Sequence, residues 1–213
     1  MTNRKGAFVT FDEKTLRELV PQGVVRTVPK NVIVLSEGDA TDPLYVILSG
    51  RVKVFLSDED GKEVILNTVV VGDYFGEIVL DGGRRSASVM TMEPCRFFVI
   101  PRVDVEGLVE SNPEFARDLI GRLIRKVRSL AGTVRDLALR DVYGRIASFL
   151  EEHAIEEGGR RILAERLTQQ DLASRVGASR EMVSRILRDL VAGGYIATVN
   201  KKLVLLKPLP RHW

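Results

Sequence analysis

The stretch from Thr168 to Ala192, TQQDLASRVGASREMVSRILRDLVA, suits few arrangements other than two short helices around a tight turn. Thr168 is a candidate N-cap, and Asp171 three residues on can complete a capping pair. Leu172, Ala173 and Val176 give the first helix an apolar stripe. Gly177 follows at once, where a helix C-cap favours a residue free to take positive φ. Ser179 then opens a second helix in which Met182, Val183, Ile186, Leu187 and Leu190 recur on one face at helical spacing. The other face carries Ser179, Arg180, Glu181, Ser184, Arg185 and Arg188. A helix that buries one face and shows arginines from its first turns on the other suits the DNA major groove. There an Arg fork matches guanine O6 and N7, and a Glu accepts from cytosine N4. The competing reading is a solvated, charged helix face. Caps, glycine and periodicity together favour the helix-turn-helix.

With 213 residues the chain can hold one large or two modest domains. A net charge of only +3 excludes a polycation, so any nucleic-acid signal must be local. From Arg160 to Leu190 there are seven Arg against four acids, an excess equal to that of the whole chain. The positive bias thus sits on the candidate DNA-binding segment. One cysteine, Cys95, excludes a disulfide framework and a cysteine-rich metal or iron–sulfur set. His153 and His212 lack ligand spacing, so no metal site is expected. The N-terminus has no apolar core of a signal peptide, and no apolar run is long enough to span a membrane. A cytoplasmic protein with no membrane partner is the expectation.

Between Val24 and Ile100 short β-branched runs alternate with Gly and Asp turn signals, which predicts an all-β sandwich or barrel. Asp60-Gly61 marks a hairpin. A short helix is expected before it, Phe11 to Val20, stopped by Pro21. After Pro101 come a short helix, Val103 to Glu110, and a long one from Asn112-Pro113. In the long helix Ile120, Leu123, Val127, Leu130, Val134 and Leu137 alternate spacings of three and four. That is an a/d seam between charged flanks, which points to a homodimer through residues 113–138. The other reading is a stripe packed on the chain's own β-domain. Leu139-Arg140-Asp141 reads as a hinge, with Asp141 capping a helix from Val142 to Glu156. Glu156 to Arg161, EEGGRR, reads as an exposed loop. Tyr195 to Val199 and Leu203 to Leu206 pair as a wing hairpin with Lys201 and Lys202 at its tip, near phosphate.

These parts resemble the Crp/Fnr superfamily of bacterial transcription regulators, and within it the cyclic-AMP-receptor branch. The most specific segments are GDYFGEIVLDGGRRSASV (72–89), RDVYGRIASFL (140–150) and VGASREMVSRIL (176–187). The resemblance implies an α+β fold: an N-terminal cyclic-nucleotide-binding-type β-roll (1–112), a dimerisation helix (113–138) and a C-terminal winged helix-turn-helix (139–213). It implies that Arg180, Glu181 and Arg185 read a TGTGA-like half-site on each arm of a palindromic double-stranded operator. Ser179, Ser184, Gln170 and Lys201 are further expected DNA contacts. RNA polymerase is an expected partner.

The stretch Gly76 to Ser86 resembles the family's phosphate-binding cassette. Its glycines permit close backbone approach, Arg85 can clamp a phosphate through two donors, and Ser86 adds a hydroxyl. Glu77 can accept from a ribose hydroxyl, and Ile78 belongs to the same segment. The alternative is an ordinary turn whose Arg85 is solvated or salt-bridged to Glu77. The family's cyclic-AMP receptors carry a Thr-Ser pair that hydrogen-bonds the adenine, where this chain has Leu130 and Ala131. The expected effector is therefore cyclic AMP or a related cyclic nucleotide. Cyclic di-GMP and an effector-independent regulator are the alternatives. No haem, iron–sulfur cluster or metal is expected, since the N-terminal cysteine cluster and any β-domain histidine are missing. An enzyme on a cupin-like fold lacks the same ligands and is not expected.

Overall fold

A computed structural model of the chain describes residues 12–40 and 42–210. They fall into two compact units. Residues up to Leu56 join Leu66–Ser129 in the first, and Ser57–Ile65 join the residues from Leu130 onward in the second.

In the first unit, α1 (Glu13–Leu19) starts at Asp12, whose carboxylate accepts from Thr15 N at 2.8 Å. The expected starting residue, Phe11, lies outside the described residues. Eight strands follow: β1 (Val24–Val28), β2 (Ile33–Leu35), β3 (Leu44–Ser49), β4 (Arg51–Ser57), β5 (Glu63–Val70), β6 (Tyr74–Phe75), β7 (Ser88–Thr91) and β8 (Cys95–Ile100). They form two four-stranded sheets, ordered β1-β8-β3-β6 and β2-β7-β4-β5. The turn between β4 and β5, which groups with the second unit, closes at Asp58, whose carboxylate accepts from Lys62 N at 2.8 Å.

Strands β3 and β8 are apolar at consecutive positions because both their faces are buried. Tyr45, Ile47, Phe97 and Val99 pack with Val54, Val69 and Val89 of the second sheet. Leu44, Val46, Phe98 and Ile100 pack on the other side with Leu16, Val105, Leu108, Phe115 and Leu119. Tyr45 stacks on Phe75 at 5.0 Å, and Phe97 meets both rings edge-on. Cys95, at the start of β8, is buried and donates its thiol to the carbonyls of Glu93 and Arg51. Burial raises its pKa.

Helix α2 (Arg102–Ser111) leads into α3 (Pro113–Leu139). Asn112 caps α3 by accepting from Glu114 N and Phe115 N. Phe115 and Leu119 anchor its first turns in the core. Beyond them the seam comes to the surface: Ile120 is 56% exposed, Val127 66% and Val134 65%, with Leu123 and Leu137 also exposed. Within the first unit, Ile120, Leu123 and Val127 are therefore not packed on the β-domain, contrary to that reading of the stripe.

In the second unit α4 (Val142–His153) is capped by Asp141, which accepts from Gly144 N at 2.7 Å. The helix stops three residues before the expected Glu156. EEGGRR is not a loop but the turn of a hairpin, β9 (Ala154–Glu157) and β10 (Arg160–Leu163). Gly158 and Gly159 both take positive φ, 59° and 73°, which suits a two-residue turn matched to strand twist. The hairpin extends the wing, so that β11 (Ile196–Val199) and β12 (Lys202–Leu205) belong to a four-stranded sheet ordered β11-β12-β10-β9. Between them run α5 (Gln169–Val176) and α6 (Arg180–Ala192). Ile146, Leu150, Leu172, Val183, Leu190 and Ile196 form the core of this unit.

Candidate functional site

The helix-turn-helix is built from local hydrogen bonds. Thr168 Oγ1 accepts from Asp171 N, and the Asp171 carboxylate accepts from Thr168 N at 2.9 Å, a reciprocal capping box. Gly177 ends α5 at φ 63°, and a Cβ there would sit 2.9 Å from Leu137 Cδ2. Ser179 caps α6 by accepting from Met182 N. Arg145, on α4, donates to the carbonyls of Val176, Gly177 and Arg140. It thereby satisfies the free C-terminal carbonyls of α5. Sequence reasoning gave this arginine no role, because two of its three partners are backbone atoms about thirty residues away.

Val183, Ile186, Leu187 and Leu190 bury one face of α6. Ser179, Arg180, Glu181, Arg185 and Arg188 are exposed on the other, and Ser184 is half-buried. Gln170, on the first turn of α5, is exposed. Asn200 and Lys201 hold positive φ at the wing tip, 51° and 64°, and Lys201 is exposed. Lys202 is turned aside and pairs with Glu157 at 3.8 Å.

In the first unit the cassette is a short 3-10 turn, Glu77–Asp81, between Gly76 and Gly82, both left-handed. Arg85 is 4% exposed. Its Nη1 donates to Gly76 O at 3.0 Å and its Nη2 to Pro43 O at 2.8 Å. Gly76 holds φ 85°, where a side chain is strained, and a Cβ there would also lie 2.8 Å from that guanidinium and 3.1 Å from Pro43 O. Arg85 Nε is buried without a partner. Burial depresses the Arg85 pKa, because its direct partners are neutral carbonyls. This charge is not spent on Glu77, contrary to the alternative reading. Glu77, 8% exposed, is ion-paired with Lys126 instead. Ser86 is exposed and Ile78 half-buried.

Two cavities meet at Glu77 and Lys126. The smaller, about 30 Å3, is lined by Gly76, Ile78, Arg85 and Ser86 among others. The larger, about 260 Å3, runs to Asn67, Leu123 and Ser129. Leu130, half-buried, and Ala131, exposed, line neither. An orphaned buried guanidinium nitrogen beside a hydroxyl and a carboxylate fits a cyclic nucleotide's phosphate and ribose. The resemblance alone supplied no cue to the network behind the larger cavity. Arg122 joins Asp118 and Asp73, and its guanidinium lies 4.6 Å over the Tyr74 ring. Burial, with the charges of Asp118 and Glu77, pushes the Tyr74 phenol up. These residues lie up to 49 positions apart, beyond any local motif.

Among the described residues no helix is long and apolar enough to cross a membrane, and no three His, Cys, Asp or Glu cluster as for a metal ion.

Family comparisons agree with both halves. Residues 25–112 match the cyclic nucleotide-binding domain, and residues 144–209 match the Crp-like helix-turn-helix domain. The chain is 31% identical over 207 residues to the CRP-like cAMP-activated global transcriptional regulator of Mycobacterium tuberculosis, covering 95% of this chain and 92% of that protein. It is 32% identical to the cAMP-activated global transcriptional regulator CRP of Pasteurella multocida, covering 91% and 95%. Among solved structures, the c-di-GMP responsive global regulator CLP of Xanthomonas campestris superposes with a TM-score of 0.80 at 25% identity, over 92% of this chain and all of that one. With its β-roll, long helix and winged helix-turn-helix, the chain belongs to the Crp/Fnr family of DNA-binding transcription regulators.

Proposed function

We propose that this regulator acts as a homodimer, paired through α3, whose two α6 helices read the arms of a TGTGA-type palindrome under control of a cyclic nucleotide. The carrying observation is the exposed row Arg180, Glu181 and Arg185 on a helix whose opposite face is core. Arg180 and Arg185 read guanine, and Glu181 reads cytosine. Gln170, Ser179, Ser184 and Lys201 hold the helix in register through polar and phosphate contacts. The functional parts run 1–112, 113–138 and 139–213. The protein has no enzymatic role, works in the cytoplasm and has RNA polymerase as a partner.

The effector seats its phosphate at Gly76, Ile78, Arg85 and Ser86 and its ribose at Glu77, with the base directed toward α3. It shifts the protein only by binding the DNA-competent state more tightly than the other. Cyclic AMP is the first candidate, as both quoted cAMP-activated relatives suggest. The test is a fluorescent-operator titration at fixed salt with and without cyclic AMP. Tighter binding with the nucleotide is expected, and equal affinity in both conditions removes it as the switch.

One observation favours a second reading, an effector-independent regulator. Arg85 already donates to two backbone carbonyls, and Glu77 is already paired with Lys126. Tight operator binding by ligand-free protein, with no thermal shift from any nucleotide, would select it.

A further inference from the structure

We propose that a cavity between the recognition helix and the wing binds a small amphipathic anion, an aliphatic chain ending in a carboxylate, and that this ligand competes with DNA. The cavity holds about 420 Å3, within the span of roughly 300–1,000 Å3 usual for small-molecule pockets, and lies wholly inside the second unit. It shares no lining residue with the two compartments at Glu77.

Three elements wall the cavity. On α6, Arg188, Val191 and Ala192 recur at spacings of three and four, along one side of the helix. On the wing, Ile196 and Thr198 stand two apart on β11 and share a strand face, and Thr198 lies opposite Leu203 of β12. Leu172 of α5 closes the third side. Leu172 and Ile196 are core residues, whereas Val191 is 50% exposed, so an apolar floor rises to an apolar rim. Every apolar side chain of the lining is aliphatic. Such a surface gives a flexible chain many dispersion contacts and gives a flat ring no aromatic partner.

The lining carries two cations, Arg188 and Lys201, and no acid. Both are exposed, and neither is held in an ion pair among the described residues. Acids of the neighbouring segments are engaged elsewhere: Glu157 pairs with Lys202, and Asp171 completes the cap at Thr168. Asn200 and Lys201 form a two-residue turn with both φ positive, a geometry whose second place favours glycine. The chain keeps a lysine there, at the edge of the cavity. Two cations beside an aliphatic floor complement one anionic head on one aliphatic tail. The carboxylate accepts from Arg188 and Lys201, with the Thr198 hydroxyl as a further donor, and the tail covers Val191.

The consequence for DNA rests on the operator reading above, in which Lys201 meets phosphate. A carboxylate on Lys201 takes that charge and sets a negative group where the duplex backbone must approach. Ligand and operator therefore weaken each other by the same factor.

The test is isothermal titration of the full-length protein with octanoate, hexanoate, 1-octanol and acetate, then operator titration at fixed salt with and without octanoate. Octanoate is expected to bind about tenfold more tightly than hexanoate, near the worth of two buried methylenes. 1-Octanol, which lacks the charge, should bind more weakly than octanoate, and acetate not measurably. Ala192→Phe fills the groove from an exposed position and should abolish octanoate binding while operator binding persists. Arg188→Gln should weaken octanoate about threefold, the scale of an exposed ion pair. Saturating octanoate should weaken operator binding by about fivefold or more in wild type and not at all in Ala192→Phe. No octanoate binding, binding unchanged in both variants, or 1-octanol or acetate binding as tightly as octanoate would each overturn the site. Octanoate binding that leaves operator affinity unchanged would overturn the competition. Failure of wild type to bind operator without octanoate would overturn the operator reading instead, and the octanoate titration would still decide the site.

Discussion

Arg145 donates its Nε to the carbonyl oxygen of Val176 at 2.7 Å, joining α4 to the last turn of α5. The same guanidinium reaches Gly177 O at 3.3 Å and Arg140 O at 2.9 Å. One side chain thus ties the residue before α4 to the turn ahead of the recognition helix. Arg145→Met keeps the aliphatic stem and removes the donors. It should destabilise the C-terminal unit by about 2–3 kcal/mol, the loss of a charged donor that serves part-buried carbonyls. Urea denaturation followed by circular dichroism measures it, and a shift below about 0.5 kcal/mol, the range of ordinary surface changes, would show that water replaces the arginine.

Arg180 and Lys201 should fail differently. Arg180→Ala is expected to lose roughly 1–3 kcal/mol on the cognate operator and to relax sequence preference, whereas Lys201→Ala should weaken cognate and random duplex alike. Competition titrations at two salt concentrations separate the effects. Identical behaviour of the two variants would contradict the roles assigned to α6 and the wing tip.

The uncovered stripe on α3 makes a prediction about assembly. Val127 and Val134 are each about two-thirds exposed, so a charge at either site disturbs little within one chain. Val127→Glu combined with Val134→Glu should leave the thermal transition of each unit in place and convert the protein to a monomer in sedimentation velocity. A dimer that survives both changes would move the interface elsewhere.

Tyr74 sets an alkaline limit. Its phenol titrates above the ordinary value of 10.0, because burial and the charges of Asp118 and Glu77 disfavour phenolate. The folded chain therefore holds this proton more tightly than the unfolded chain. The resulting stabilisation is complete below pH 10 and is lost as pH climbs toward the folded value, by up to about 1.4 kcal/mol per pH unit. Urea midpoints measured from pH 9 to 11 should fall less steeply in Tyr74→Phe than in wild type. Tyr45, also raised by burial, should leave some slope in the variant. Equal slopes would mean that Tyr74 ionises freely.

Where a few adjacent residues decide the geometry, the sequence was a sufficient guide. Thr168 with Asp171, Gly177, Ser179 and Asp141 each act on backbone atoms within five residues, and each sits where its local chemistry directs. EEGGRR misled because Glu156, Glu157, Arg160 and Arg161 lack the apolar alternation of a half-buried strand. Strand β10 joins β12 through Arg161 opposite Leu205 and Ile162 opposite Val204, partners that only the folded chain brings together. The cassette was legible in Gly76 and Arg85, but not the engagement of Arg85 by Pro43 O or of Glu77 by Lys126. Those partners stand more than forty residues away, where no periodicity reaches.

The environment of Cys95 has a practical consequence. The chain's one thiol is enclosed, engaged with two carbonyls and resistant to ionisation, so it reacts slowly with alkylating dyes. A cysteine introduced on the recognition helix, the wing or the α3 stripe would take up a fluorophore or spin label alone, with the native residue left in place. Distances within the working molecule can therefore be followed in solution without first rebuilding its core.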